Sequence, residues 1–150
     1  MQKITLLLAF ALAFSASTWA QDVNINGTGV SLEANKTPIH TAKNPQAIAL
    51  LPKDLHLATP GKFTVAVAAL NSPPLTVFAD DNKTLLGSEA DIARLVADSL
   101  GLEINVVPTS WEDWPLGVAS GKYDAAISNI TVTKERKAKF DFATYRKDSL

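Results

Sequence analysis

The sequence predicts an α/β fold in which β-α-β units surround a mainly parallel sheet. Short runs of small, β-branched and aromatic residues recur at "GKFTVAVAAL", "LEINVVP" and "YDAAIS". A long amphipathic segment separates the first two, and a shorter one separates the second from the third. Gly and Pro punctuate the joints. Strands that alternate with helices are joined by crossovers, so neighbouring strands run parallel.

The chain has 150 residues, 47% of them hydrophobic, with a formal net charge of -1, which suits a globular protein with one core. Its first residues, "MQKITLLLAFALAFSASTWAQD", have the layout of a secretory signal peptide: Lys3, an apolar run from Ile4 to Phe14, small residues, then Ala20 before Gln21. The apolar run is shorter than the roughly 20 residues that span a bilayer. Residues 1–20 are therefore expected to be cleaved and the mature protein exported. Residues 21–60, rich in Asn, Thr, Pro and Lys, show no sustained period and read as an irregular leader with one turn of helix near "PQAIALL".

The ordered domain is expected over residues 61–150. Phe63, Val65 and Val67 with small neighbours make the first buried strand, which "NSPP" stops because proline cannot donate to a sheet. "ADDNKT" is a turn. The clearest helix follows, with Ser88 as its cap, Glu89 and Asp91 in its first turn, Ile92, Leu95, Val96 and Leu100 on one face, and Gly101 as its stop. Arg94 and Asp98 are an i,i+4 surface pair. "LEINVVP" is the second strand, "EDWPLGVASG" a short helix ended by Gly121, and "YDAAIS" the third strand. A further helix starts near Thr133, and "KFDFATY" reads as a fourth strand.

Composition excludes several functions. Cysteine is absent, which removes disulfides, thiolate metal sites, a cysteine nucleophile and a lipoprotein anchor. The histidines, His40 and His56, lie in the leader away from carboxylate clusters and read as solvated. Without a basic stripe interleaved with aromatics, nucleic acid is not an expected partner. No Ser-His-Asp set, phosphate-cradling glycine loop or metal cluster can be assembled, so no catalytic residue, cofactor or metal is expected.

Ligands of parallel sheets bind beyond the carboxyl ends of the strands, which directs attention to "SNITVTKER". A helix starting near Thr133 presents unpaired N–H groups and the positive end of its dipole, a setting that attracts an anion. Arg136 in its first turn adds a planar fork suited to a carboxylate, and Thr131 adds a hydroxyl. Trp111, after the second strand, reaches the same edge and offers an aromatic face. In the competing reading Thr133 only caps the helix, Lys134, Arg136, Lys137 and Lys139 are solvated, and Trp111 and Trp114 both pack in the core. Glu112 and Asp113 are dipole and cap partners.

The ordered series "GKFTVAVAALNSPPL", "GSEADIARLVADSLGL" and "WEDWPLGVASGKYDAAISNITVTKERKAKFDF" resembles the first lobe of the periplasmic solute-binding proteins of amino-acid ABC transporters, over about Gly61 to Tyr145. The resemblance implies a type II periplasmic-binding-protein-like fold with its ligand between two lobes. It implies that Arg136 grips the ligand's α-carboxylate with Thr131, that Asn129 offers its backbone carbonyl to the α-ammonium with Ser128 beside it, and that Trp111 forms an aromatic wall. The implied partners are a small amino-acid-like carboxylate and an inner-membrane permease, and the protein is expected to be a periplasmic monomer. Some positions depart from the family pattern. Ser72 and Leu75 replace aromatics that often flank the proline break, and Ala69 stands where members that bind basic amino acids tend to place an acid. Ser88 replaces the usual Phe, and Pro115 is displaced. The sequence stops near where a crossover to the second lobe is expected, so the first lobe is expected to be incomplete and the second absent. Alternatives from the same resemblance are an exported dehydratase acting on a prephenate-like acid, the sensor lobe of a receptor or cell-wall enzyme, and a fragment without binding function.

Overall fold

The structure, a computed structural model, describes residues 23–25, 28–34 and 38–147, and the expected signal peptide lies outside them. The centre of the fold is a three-stranded parallel sheet in the order β6-β3-β7, with β3 at Lys62–Ala68, β6 at Glu103–Thr109 and β7 at Ala125–Ala126. Lys62 lies opposite Glu103, and Val65 opposite both Val106 and Ala125. Pro108 is tolerated because β6 is an edge strand.

Successive side chains of a strand point to opposite faces, and β3 uses both. Val65 and Val67 pack with Leu85, Ala90 and Ala93 on one side, while Ala66 meets Trp114 and Tyr123 on the other. The first cover is helix α2, Ser88–Leu100, and the second is helix α3, Trp114–Ala119. Large β3 side chains thus face a helix of alanines, and small ones face large aromatics, which fills both layers.

Helix α2 departs from expectation in two ways. Its fully buried residues are Glu89, Ala90, Ala93 and Ala97, whereas Ile92, Leu95 and Leu100 are half-buried and Val96 is exposed. Small side chains let the helix axis approach the sheet, so the larger residues flank the contact. Ser88 is the first helical residue rather than the cap, and its hydroxyl is buried without a hydrogen-bond partner. The backbone carbonyls of Pro74 and Leu75 instead accept from the N–H groups of Ser88 (3.1 Å) and Glu89 (3.2 Å). That contact requires glycine at 87: its φ is +110°, and a Cβ there would overlap the Leu75 carbonyl. Gly101 ends the helix in the left-handed conformation.

The "ADDNKT" turn joins a short antiparallel pair, β4 at Val77–Phe78 and β5 at Leu85–Leu86. Asp81 closes it by accepting from the N–H groups of Lys83 and Thr84 and from the Thr84 hydroxyl. These bonds hold the Asp81 carboxyl below its usual range. The leader contains an antiparallel pair, β1 at Val23–Ile25 with β2 at Thr28–Val30, and one turn of helix, α1 at Pro45–Ala49, capped by Asn44. Asn44 N–H donates to Ser99 O (2.8 Å), and Asp124 accepts from the N–H groups of Ala58 and Thr64, so the leader is fastened to α2 and to the sheet. Asp98 meets His40 Nδ1 at 2.9 Å and accepts from Thr41 N–H. The close partner of Asp98 is therefore a leader histidine rather than the expected Arg94, which acts on it only through charge. The Thr41 bond first, then His40, lowers the Asp98 pKa.

The fourth strand expected at "KFDFATY" does not form: residues 140–147 run without regular structure. Phe140 packs on Trp114 at 5.3 Å between ring centroids, and Tyr145 bonds to Glu89, so this segment follows side-chain anchors rather than a ladder. Among the described residues no helix is long and apolar enough to cross a membrane.

Gly117 in α3 tests this packing. A Cβ there would overlap the buried Tyr123 ring. Gly117→Ala should lower stability by about 1–3 kcal/mol in urea unfolding. An unchanged midpoint would mean that Tyr123 does not pack on α3.

Candidate functional site

The parallel register brings the carboxyl ends of β3, β6 and β7 to one edge of the sheet. From this edge leave the segment before β4, the loop carrying Trp111, and the loop 127–133. Four of the five residues expected at the site line two neighbouring recesses, and the fifth, Thr131, lines neither. Ser128, Asn129 and Trp111 line one of about 230 Å³, together with Ala68, Leu70, Ser72, Leu75, Thr76 and Glu89. Arg136 lines a second, open recess of about 620 Å³ with Trp111, Trp114, Glu112, Glu135 and Lys139. Trp111 borders both.

The Ser128 hydroxyl serves the fold. It accepts from Ala68 N–H (2.6 Å) and donates to Ile127 O (2.7 Å), with the residue 6% exposed, and so ties the end of β7 to the end of β3. Asn129 is exposed and left-handed, with φ +50°. Its N–H points inward, at 3.3 Å from Glu89 Oε2 and 3.2 Å from the Tyr145 hydroxyl oxygen.

Helix α4, Lys134–Lys137, is a single turn. Its cap is Thr133, whose hydroxyl accepts from Arg136 N–H (3.2 Å). The expected row of open amides is thereby reduced, and anion attraction at this edge falls to the Arg136 side chain. Arg136 Nη1 donates to Thr131 O at 2.8 Å, and its Cζ lies 5.7 Å from the ring centroids of both Trp111 and Trp114. Thr131 thus contributes its carbonyl to orient the guanidinium. The contacts with the indole faces are attractive cation–π geometries and help offset the unfavourable helix-dipole position of an arginine. Trp114 is buried as core, and Trp111 stands half-buried and edge-on to it at 6.4 Å.

Three residues that sequence reasoning did not nominate stand beneath the loop: Glu89, Tyr145 and Arg146. Glu89 is 1% exposed; it accepts from the Tyr145 hydroxyl and, at 3.3 Å, from Arg146 Nη2. In the sequence Glu89 reads as an ordinary first-turn acid, and only its alanine-flanked, buried surroundings distinguish it. Desolvation, then donation to Glu89, pushes the Tyr145 phenol up to about 12. Tyr123 moves the other way, through hydrogen bonding with Thr109 and then Lys122. Among the described residues no group of three or more His, Cys, Asp or Glu could hold a metal ion.

Fold and edge together define a class: the type II periplasmic-binding fold, of which this chain carries part, with an arginine and an aromatic face on loops at the carboxyl ends of a parallel sheet. The chain belongs to the bacterial extracellular solute-binding proteins, family 3, whose model matches residues 64–149. It is 38% identical over 72 residues to the L-cystine-binding protein TcyJ of Escherichia coli K12, covering 48% of this chain and 27% of that protein. It is 37% identical over 57 residues to the cyclohexadienyl dehydratase of Pseudomonas aeruginosa, covering 38% of this chain and 21% of that enzyme. Among solved structures it is similar to an ancestral arginine-binding protein bound to arginine, at 30% identity and a TM-score of 0.52, covering 55% of this chain and 36% of that one. The matches thus span about a third or less of the length of these relatives.

The chain has two tyrosines, so phenol absorbance separates them. The spectrophotometric titration should show one midpoint below the ordinary value of 10.0 and a second near 12. Tyr145→Phe should abolish the upper step. A single transition near 10 in the folded protein would contradict the Glu89–Tyr145 contact.

Proposed function

We propose that residues 61–150 supply a carboxylate-gripping lobe of an exported protein that captures a small amino-acid-like solute and delivers it to an inner-membrane ABC permease. Residues 1–20 act as its signal peptide, and the protein works in the periplasm as a monomer without catalysis or cofactor. The observation that carries this reading is Arg136, held by the Thr131 carbonyl and two indole faces at the sheet edge. Fixing the fork before ligand arrives lowers the ordering cost of binding, and a charge-assisted pair with an α-carboxylate supplies affinity. Trp111 lies between the arginine and the smaller recess, so a ligand paired with Arg136 meets its ring, while Asn129 borders the space beyond. Ser128 supports this loop from within. The similarity to a cystine-binding protein supports an amino-acid ligand, and Ala69 argues against a basic one. In a second lobe, further contacts to the ammonium would stabilise a closed state.

The similarity to a cyclohexadienyl dehydratase gives a second reading, in which the same arginine holds the carboxylate of a cyclohexadienyl acid. Isothermal titration of the chain with L-cystine and other L-amino acids, beside an assay for aromatic product from a prephenate-like acid, separates the two. Binding without turnover supports capture; turnover supports the enzyme. Arg136→Ala should weaken amino-acid binding by about 2–5 kcal/mol, since the ligand carboxylate is left unpaired. Equal affinity in the variant would remove Arg136 from the site.

A further inference from the structure

Glu89 is a carboxylate almost wholly removed from water, and no helix-dipole role explains it. A side chain placed for the dipole alone can remain solvated, whereas this one is 1% exposed and is met by groups from two distant segments. Its Oε2 accepts from Asn129 N–H in the loop after β7 and from the Tyr145 hydroxyl, and its Oε1 faces Arg146. Asn129 sits at φ +50°, in the left-handed region that asparagine adopts more readily than other non-glycine residues, as Asn71 and Asn82 also do here. Its inward-pointing N–H sets the direction of the peptide groups on either side.

We propose that Glu89 is the positioning residue of the candidate site: its buried carboxylate locks the left-handed turn at Asn129 to the outgoing Tyr145–Arg146 segment, so that loop and segment shift together. Glu89 touches no ligand in this scheme. It acts by holding the Asn129 loop at the edge shared with Trp111, and by making the position of that loop depend on where residues 145–146 lie. A burial cost of this size is offset only while all three partners are in place, because an incompletely paired buried carboxylate is destabilising. The lock is therefore sensitive to displacement of any one of them. The significance of the loop rests on the ligand-site reading above, but the lock is measured without ligand, so the two can fail separately.

Glu89→Gln keeps the side-chain shape and leaves one accepting oxygen where Glu89 has two, so one set of donors must face an amide NH2. Tyr145→Phe removes the hydroxyl and keeps the ring, and provides a second route should the glutamine variant fold poorly. Amide hydrogen exchange of the ligand-free full chain is the readout. In either variant the Asn129 amide should exchange about tenfold faster or more, while the amides of Ala93 and Ala97 in the middle of α2 keep their protection. A merely structural role would raise exchange in α2 and at Asn129 together, through global opening. That result, or an Asn129 amide unchanged in both variants, would overturn the proposal.

Discussion

Everything at the candidate site depends on the burial of one strand. β3 is paired on both edges and covered on both faces, so Thr64 to Ala68 are all buried. A strand in that position needs crossovers on either side, and those crossovers require its neighbours to run parallel. Parallel strands end at the same edge. The loops after β3, β6 and β7 consequently converge there. The alternation along β3, valines to α2 and Ala66 to Trp114 and Tyr123, is matched by alanines on α2 and by Gly117 on α3.

Two polar clusters at this edge follow opposite physical rules. Around Glu89 the charge is buried and its partners come from across the fold, so the cluster joins segments distant in sequence and leaves little freedom in any of them. Around Arg136 the charge is half-exposed, and a nearby carbonyl and two indoles orient it. The first arrangement fixes the scaffold, and the second leaves an oriented guanidinium half-exposed, as the proposed carboxylate contact requires. A loop that binds small anions needs both, since an arginine on a wandering loop loses affinity to ordering.

The leader is also part of the described fold. Asn44, Thr41 and His40 bond along the C-terminal half of α2, and Asp124 gathers Ala58 and Thr64 at the start of β3. These contacts lie at the end of the sheet opposite the candidate site, as the positions of Lys62 and Glu103 in the register require. They reinforce the scaffold without entering the site.

The sequence by itself determined the α/β class, the strand–helix order, the stop signals at "NSPP" and Gly101, and the edge at which the connecting loops converge. These rest on local rules: which residues pack in a pleat, which end a helix, and where crossovers place loops. It also named Trp111, Asn129 and Arg136 as residues of that edge. Only the tertiary structure decided that Ala90, Ala93 and Ala97 rather than Ile92 and Leu95 are the fully buried face of α2, because closeness of approach is a property of two surfaces. It decided that Pro74 and Leu75 replace Ser88 at the helix start, that the Ser128 hydroxyl binds its own backbone neighbours, and that "KFDFATY" stays out of the sheet. Above all it decided the role of Glu89. Its partners are 40 to 57 residues away in the chain, and no pattern of nearest neighbours can encode such a meeting.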